Sequence, residues 1–327
     1  MRALLLFNPK ATSTNRRTRD VLVRALGAAV ELSVEETGYR GHAALLAAAA
    51  REKGFDAIAV LGGDGTINEA VNGMMNGDRQ ARPALIVIPG GSANVFARSL
   101  GLPNNPVEAT GAVLEAIREG RRRTLSLGQA SWDDGALQNS DEGFHTGLEG
   151  SNSRYFTFCA GLGYDAEVVR AVEGLRGAGY KASPHRYIHT ALRHYFMTDR
   201  HHPALRLERP DKRPVDGIFM AIISNTAPWT YAGHRPINPT PWAGFDTGLD
   251  LLGLRRMGVV AMLRLVRQIV GEQVGLPKGG HLVQLHDESE FTFRARRPMA
   301  FQLDGDYLGE REQVTFRSVP AALQVLV

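Results

Sequence analysis

The chain of 327 residues has one cysteine, Cys159, only five lysines and no long hydrophobic run. A single cysteine excludes an intramolecular disulfide framework and any multi-cysteine zinc site, and it fits a reducing cytosol. No stretch approaches the roughly 18 apolar residues that a membrane-spanning helix needs. The apolar start, Ala3–Phe7, is too short for a signal peptide. Lysine is scarce because arginine replaces it: 33 of the 38 basic residues are arginine. Arginine binds phosphate bidentately, where lysine acts as a point charge. The formal net charge of +4 suits nucleic acid, anionic membrane or phosphorylated metabolites alike. A codon bias would leave the same composition, so charge alone selects no partner. What remains is ordinary globular material, 43% apolar and 22% charged, with two domains expected at about 100–200 residues each.

Up to about residue 125, apolar runs alternate with helical patterns. Strands are expected at Ala3–Phe7, Glu31–Glu36, Ala57–Leu61 and Ala84–Ile88. Helices are expected at Asn15–Ala29, Gly41–Glu52, Thr66–Met75, Asn94–Leu100 and Val107–Glu119. Such alternation means βαβ units and a parallel sheet. After Arg121–Arg123 the pattern turns mainly β. Strands are expected at Thr124–Ala130, Tyr155–Ala160, Ala204–Glu208, Gly217–Ser224, Leu282–Leu285, Glu290–Phe293, Met299–Leu303, Gln313–Phe316 and Leu323–Val327. Helices are expected at Pro184–Met197 and Met257–Gly271, and a polar loop at Ser131–Ser153. The expected fold is an α/β domain over 1–125 and a mainly-β sandwich over 126–317, with 318–327 returning to the first.

Ligands of parallel sheets sit at the carboxyl ends of the strands, so the loops there are the places to read for chemistry. After the third strand comes Gly62-Gly63-Asp64-Gly65-Thr66, opening a helix through Ile67-Asn68-Glu69-Ala70-Val71-Asn72-Gly73. Three glycines allow positive φ and close backbone approach to a ligand, and amides at a helix start bind phosphate. The spacing is neither a Walker loop nor a dinucleotide fingerprint. An Asp inside a phosphate loop calls for a metal or a hydrogen-bond network, which points to Mg²⁺ near Asp64. Thr66 and Glu69 match a capping box. After the fourth strand comes Pro89-Gly90-Gly91-Ser92-Ala93-Asn94-Val95-Phe96-Ala97-Arg98, where Ser92 and Asn94 can donate to phosphate or cap the helix. The first strand ends in Asn8-Pro9-Lys10-Ala11-Thr12-Ser13, small and polar. Three such loops at one sheet edge read as a nucleotide site. Late in the chain, Asp304-Gly305-Asp306 pairs two carboxylates on a turn, a pattern that suits a general base and equally a plain hairpin.

Asn8-Pro9, Gly62–Gly73, Pro89–Arg98 and Asp304–Asp306, in that order over nearly the whole chain, resemble the diacylglycerol kinase catalytic-domain family, which also holds sphingosine and ceramide kinases. Gly-Gly-Asp-Gly-Thr alone is shared with NAD kinases; the longer signatures are more specific. The resemblance implies an ATP- and Mg²⁺-dependent lipid kinase with a nucleotide-binding α/β domain and a mainly-β lipid-substrate domain. It would move the γ-phosphoryl group of ATP to the hydroxyl of a diacylglycerol-like lipid. Nucleotide contacts would fall on Asn8, Pro9, Lys10, Ala11, Thr12, Thr37, Gly62, Gly63, Asp64, Gly65, Thr66, Asn68 and Ser92. Asp306 would take the proton of the hydroxyl, with Asp304 beside it. A structural metal would fall on Asp246, with the carbonyls of Ala243 and Gly248. The sequence departs from the family pattern at Asp306, where Glu is usual, at Val95, where many members have Asp, and at Ser92, where many have Thr.

A lipid acceptor implies a cytoplasmic protein that meets the inner face of a membrane, with no nucleic-acid partner. The 257–271 helix carries Arg264 and Arg267 after Arg255-Arg256, and it reads as an interfacial helix or as one packed on the sandwich. An edge strand could pair two copies into a homodimer. Two other readings stay open: a soluble-metabolite kinase of the NAD kinase type, and a nucleotide-binding regulator without turnover.

Overall fold

The computed structural model describes residues 1–9, 16–77, 82–133, 152–177, 198–271 and 275–327. They divide into two compact units, one formed by Met1–Ser126 with Ala321–Val327, the other lying between Leu127 and Pro320.

The first unit runs β1 (Arg2–Phe7), α1 (Arg16–Ala29), β2 (Glu31–Glu36), α2 (His42–Glu52), β3 (Ala57–Gly62), α3 (Asp64–Met75), β4 (Ala84–Pro89), α4 (Val95–Ser99) and α5 (Pro106–Glu119). Its strands pair in the order β4-β3-β1-β2, all parallel, with Leu4 opposite Ile58 and Ile58 opposite Leu85. Every residue of β3 and β4 is buried, which is why these strands read as unbroken apolar runs. Helix α5 shows how local chemistry sets a boundary. Asn105 Oδ1 accepts from the Val107 and Glu108 amides, Pro106 takes the first helical position, and Gly120 closes the helix at φ 68°.

The second unit is mainly β, as the sequence implies. It holds β5 (Arg122–Trp132), β6 (Ser153–Phe156), β7 (Cys159–Gly163), α6 (Tyr164–Gly177), β8 (Leu205–Glu208), β9 (Val215–Ile218), β10 (Met220–Ser224), β11 (Thr230–Ala232), β12 (Arg235–Ile237), β13 (Leu249–Leu254), α7 (Val259–Val270), β14 (Leu282–Glu288), β15 (Glu290–Leu303) and β16 (Asp306–Leu326). Antiparallel pairing orders the strands β14-β13-β10-β7-β15-β16. The chain passes between the units inside β5 and inside β16, whose end pairs in parallel with β4 at Val325–Leu85. The core centres on Phe316, whose ring centroid lies 5.7–6.4 Å from those of Phe156, Phe291, Phe293 and Phe301.

Several expectations change in detail. The single strand expected at Tyr155–Ala160 breaks into β6 and β7. The one expected at Gly217–Ser224 breaks into β9 and β10 at Phe219, after Gly217 at φ 81°. Conversely, Glu290–Phe293 and Met299–Leu303 are one strand whose register shifts between Arg294 and Met299. Helix α6 and strands β11, β12 and β13 were not foreseen. The expected helix 184–197 and most of the 131–153 loop lie outside the described residues.

Candidate active site

In a parallel sheet all strands end on the same side, and in the first unit the four strand-end loops are stitched to one another there. The Asn8 amide donates to the Leu61 carbonyl at 3.2 Å, and the Thr37 amide to that of Phe7 at 3.0 Å. Asn8 Nδ2 donates to Thr66 Oγ1 at 3.3 Å. The Gly90 amide donates to the Gly62 carbonyl at 2.8 Å. This last contact explains the glycines. A Cβ on Gly91 would stand 2.6 Å from Gly63 Cα, and one on Gly90 would stand 3.0 Å from the Gly62 nitrogen. The two loops touch backbone to backbone, so close approach, and not positive φ, excludes side chains at these positions.

Asp64 has a role other than a bare metal ligand. Its Oδ2 accepts from the Val95 amide at 3.1 Å and its Oδ1 from the Phe96 amide at 3.0 Å. A carboxylate from the first glycine loop therefore caps α4 in the second, and of the two ways to stabilise an Asp there the structure displays the hydrogen-bond network. The capping box is corrected as well. Helix α3 starts at Asp64, two residues earlier than expected, and its N-cap Gly63 offers no side-chain cap. Glu69 Oε2 instead accepts from the Ala43 amide at the start of α2, at 3.3 Å.

The other expected nucleotide contacts separate by exposure. Asn68 is fully buried, and Asn72 Nδ2 donates to its Oδ1. Asn94 is buried at φ 48°; its side chain accepts from the Gly91 amide and donates to the Gly91 carbonyl and to Asn104 Oδ1. These two asparagines shape the loops from inside. Thr37 is buried with its hydroxyl 3.4 Å from the Phe7 carbonyl. Pro9 and Ser92 are exposed, and Asn8, Gly63, Gly65 and Thr66 are half-buried, so these line the accessible side of the loops. Lys10, Ala11 and Thr12 lie outside the described residues.

In the second unit, Leu303 pairs with Asp306 across a two-residue hairpin turn. Asp304 and Gly305 occupy it at φ 49° and 82°, the double positive φ that Asp-Gly supplies most readily. The paired carboxylates are not equivalent. Asp304 turns inward, 4% exposed. Its oxygens accept from the Thr157, Phe158 and Cys159 amides at 2.7–3.0 Å and from Thr157 Oγ1 at 2.8 Å. It pins the break between β6 and β7 and does not stand beside Asp306 as a second base. Burial pushes its carboxyl above the usual range, opposed by those backbone donors. Asp306 meets Arg154 Nη2 at 3.1 Å, with the arginine side chain 8% and the aspartate side chain 18% exposed.

Three residues here escaped sequence reasoning. Arg154 orients Asp306. Asp165, buried in the first turn of α6, accepts from Gln302 Nε2 at 2.8 Å, and Gln302 Oε1 accepts from the Gly305 amide at 2.9 Å. A buried carboxyl is thereby tied to the turn that carries Asp306. Burial pushes the Asp165 carboxyl up to about 7, with the Gln302 hydrogen bond acting against it. Gln302 was detectable as the one amide in the apolar run Met299–Leu303; Arg154 and Asp165 had no local signal.

Among the described residues no group of three or more His, Cys, Asp or Glu could hold a metal ion. At the proposed structural site, Asp246 is exposed. The Ala243 carbonyl already accepts from the Ala227 amide, and the Gly248 carbonyl lies 3.3 Å from Thr247 Oγ1. A cavity of about 320 Å³ in this unit is lined by Glu167, Arg170, Asp199, His202, Arg297 and Glu310 among others. Arg170 pairs there with Glu310 and Arg297 with Asp199, whose carboxylate also meets His202 Nδ1, while Phe219, Pro298, Met299 and Ala300 supply an apolar part of the lining.

Residues 2–130 match the family described as diacylglycerol kinase catalytic domain. A Chromohalobacter salexigens protein named "Probable lipid kinase YegS-like" is 28% identical over 309 residues, 92% of this chain and 86% of that protein. A diacylglycerol kinase of Staphylococcus saprophyticus is 35% identical over 130 residues, 39% of this chain and 41% of its own length. Among solved structures, a Bacillus anthracis diacylglycerol kinase superposes with a TM-score of 0.68 at 18% identity, over 99% of this chain and 96% of the other. An Archaeoglobus fulgidus NAD kinase in complex with ATP superposes with a TM-score of 0.51 at 14% identity, over 100% and 94%. At these identities the two structures show likeness of fold.

Proposed function

We propose that the chain, whose residues 2–130 match the diacylglycerol kinase catalytic domain and which is 28% identical over 92% of its length to a probable lipid kinase, transfers the γ-phosphoryl group of ATP to the hydroxyl of a diacylglycerol-like lipid presented at a membrane surface. The product is a phosphatidic-acid-like phosphomonoester. The observation that carries this reading is the stitched loop set of the first unit: two glycine loops in backbone contact, fastened by Asp64 across to the start of α4. Phosphoryl transfer passes through a loose transition state, so catalysis is positioning and charge neutralisation. The uncapped start of α3 offers amides to phosphate oxygens, and Ser92 adds a hydroxyl. Mg²⁺, when bound, would supply charge neutralisation on the transferring phosphoryl group, and it would be held largely by substrate oxygens, since this ion takes few protein carboxylates. Asp306 accepts the proton of the lipid hydroxyl, and Arg154 fixes its orientation.

The test is transfer of label from ATP, with Mg²⁺, into a panel of lipids in mixed micelles, with NAD as a control acceptor. Asp306→Asn is the variant, because Asn removes the carboxylate yet can still accept a hydrogen bond from Arg154 Nη2. We expect label in an organic-phase product. Asp306→Asn should lower kcat by about 10²–10⁴ with ATP binding kept. Label in NAD would refute the lipid reading in favour of a soluble-metabolite kinase. ATP binding without label in any acceptor would refute turnover itself.

A further inference from the structure

Helix α7 is apolar on two sides. Its inner side is Leu265, buried, with Met262 and Ile269, all packed in a cluster with Met220, Ile222, Leu252 and Leu254. That spacing of three and four residues is an ordinary core-facing stripe. The opposite side is aliphatic too: Val259, Val260, Leu263 and Val266 are 46, 62, 63 and 43% exposed. At about 100° per residue, these four fall on one continuous arc facing away from Leu265. Arg264 and Arg267, both exposed, lie in and beside that arc, and exposed Arg255 and Arg256 precede the helix. Lys278 is fastened alongside: its amide donates to Gln268 Oε1 at 2.6 Å and its carbonyl accepts from Gln268 Nε2 at 3.1 Å. No Asp or Glu occurs from residue 255 to 271.

Exposed aliphatic side chains ask for an apolar cover, and the arginines ask for negative charge. A second copy meets the first demand but not the second, because a two-fold contact would set this acid-free basic helix against itself. An anionic lipid surface meets both, since an amphipathic helix lies in the interface with its apolar face in the acyl boundary and its basic side chains among the headgroups. We propose that α7 is a docking helix that seats the protein on an anionic membrane, inserting Val259, Val260, Leu263 and Val266 and placing Arg255, Arg256, Arg264 and Arg267 against lipid phosphates. This inference deepens, and rests on, the reading that the acceptor is a lipid in a bilayer.

The test uses the full chain with vesicles of phosphatidylcholine, with and without phosphatidylglycerol, in co-sedimentation. The variants are Val260→Ser with Leu263→Ser, and Arg264→Gln with Arg267→Gln; all four sites are exposed, and circular dichroism checks the fold. The arginine pair should weaken binding to phosphatidylglycerol vesicles by roughly twenty-five-fold, about fivefold per charge, and added salt should mimic it. The aliphatic pair should weaken binding to both vesicle types by at least about tenfold. Both variants should phosphorylate a short-chain lipid below its micelle concentration at the wild-type rate, yet lose activity on vesicles. Unchanged vesicle binding in both variants overturns the docking helix while leaving the kinase reading intact. Vesicle binding that depends on α7, in a protein that phosphorylates no lipid, supports docking and overturns the kinase reading. A wild-type dimer that the aliphatic pair dissociates, with vesicle binding unchanged, assigns the face to a second copy and overturns the proposal.

Discussion

Asp165 supplies a prediction whose size can be worked out. The carboxyl is 4% exposed and accepts from the neutral Gln302 amide, and burial moves it from 3.8 to about 7. Below pH 3.8 it is protonated in folded and unfolded chains alike, and stability is at its full value. Between about 4 and 7 only the unfolded chain releases the proton, so stability falls as pH rises. Above 7 the folded form ionises as well and the loss levels off. At 1.36 kcal/mol per pH unit the total loss is about 4 kcal/mol. Asp165→Asn is neutral at every pH and keeps the oxygen that Gln302 needs. Its advantage over wild type should therefore be about 1.5 kcal/mol at pH 5 and about 4 kcal/mol at pH 8. Urea unfolding at four pH values between 5 and 8, read by a probe in the second unit, measures this. A difference that stays constant across the series would refute the raised carboxyl. Because Gln302 also holds the Gly305 amide, the same titration acts on the turn carrying Asp306, and the pH profile of kcat should flatten in Asp165→Asn.

Asp64→Ala removes two charge-assisted hydrogen bonds at the start of α4; we expect a loss of about 2–4 kcal/mol in the first unit and weaker nucleotide binding. Thermal unfolding with a nucleotide titration measures both, and unchanged stability with lost nucleotide binding would instead make Asp64 a ligand. Gly91→Ala puts a Cβ 2.6 Å from Gly63 Cα and should cost about 1–3 kcal/mol, with ATP affinity falling alongside; an unchanged denaturation midpoint would show that the two loops are not in contact. Asp304→Asn turns one buried acceptor oxygen into a donor facing backbone amides, and the second unit should lose about 2–4 kcal/mol. Retention of full stability by that variant would mean that its carboxylate does not hold the β6–β7 break.

The split roles of Asp304 and Asp306 show why neighbouring residues cannot be assigned from their pattern. Two residues apart on a tight turn, they meet different partners. One meets three backbone amides, and the other a guanidinium from β6, more than a hundred residues earlier. Asp64 makes the same point: a carboxylate in a phosphate loop is costly without compensation, and the sequence shows the problem but not the amides of Val95 and Phe96 that resolve it.

What the sequence determined by itself was whatever depends on local periodicity and local backbone chemistry. The parallel sheet was legible because β3 and β4 are buried throughout, which forces unbroken apolar runs. The ends of α5 were legible because Asn105, Pro106 and Gly120 act within a turn of where they stand. The glycine loops were legible as places of close backbone approach, read there as approach to a ligand. Tertiary structure alone decided which partner came close: Gly63 and Gly91 meet each other, and Glu69 reaches α2 and not its own helix start. Strand β13 was hidden because Asp250 interrupts its apolar pattern, and the contacts its Oδ1 makes, His286 Nδ1 at 2.8 Å and the Asp287 amide at 3.1 Å, come from far along the chain. Contacts between residues far apart in the chain leave no period in the sequence, and a buried charge or amide finds its reason only once the folded chain brings its partner to it.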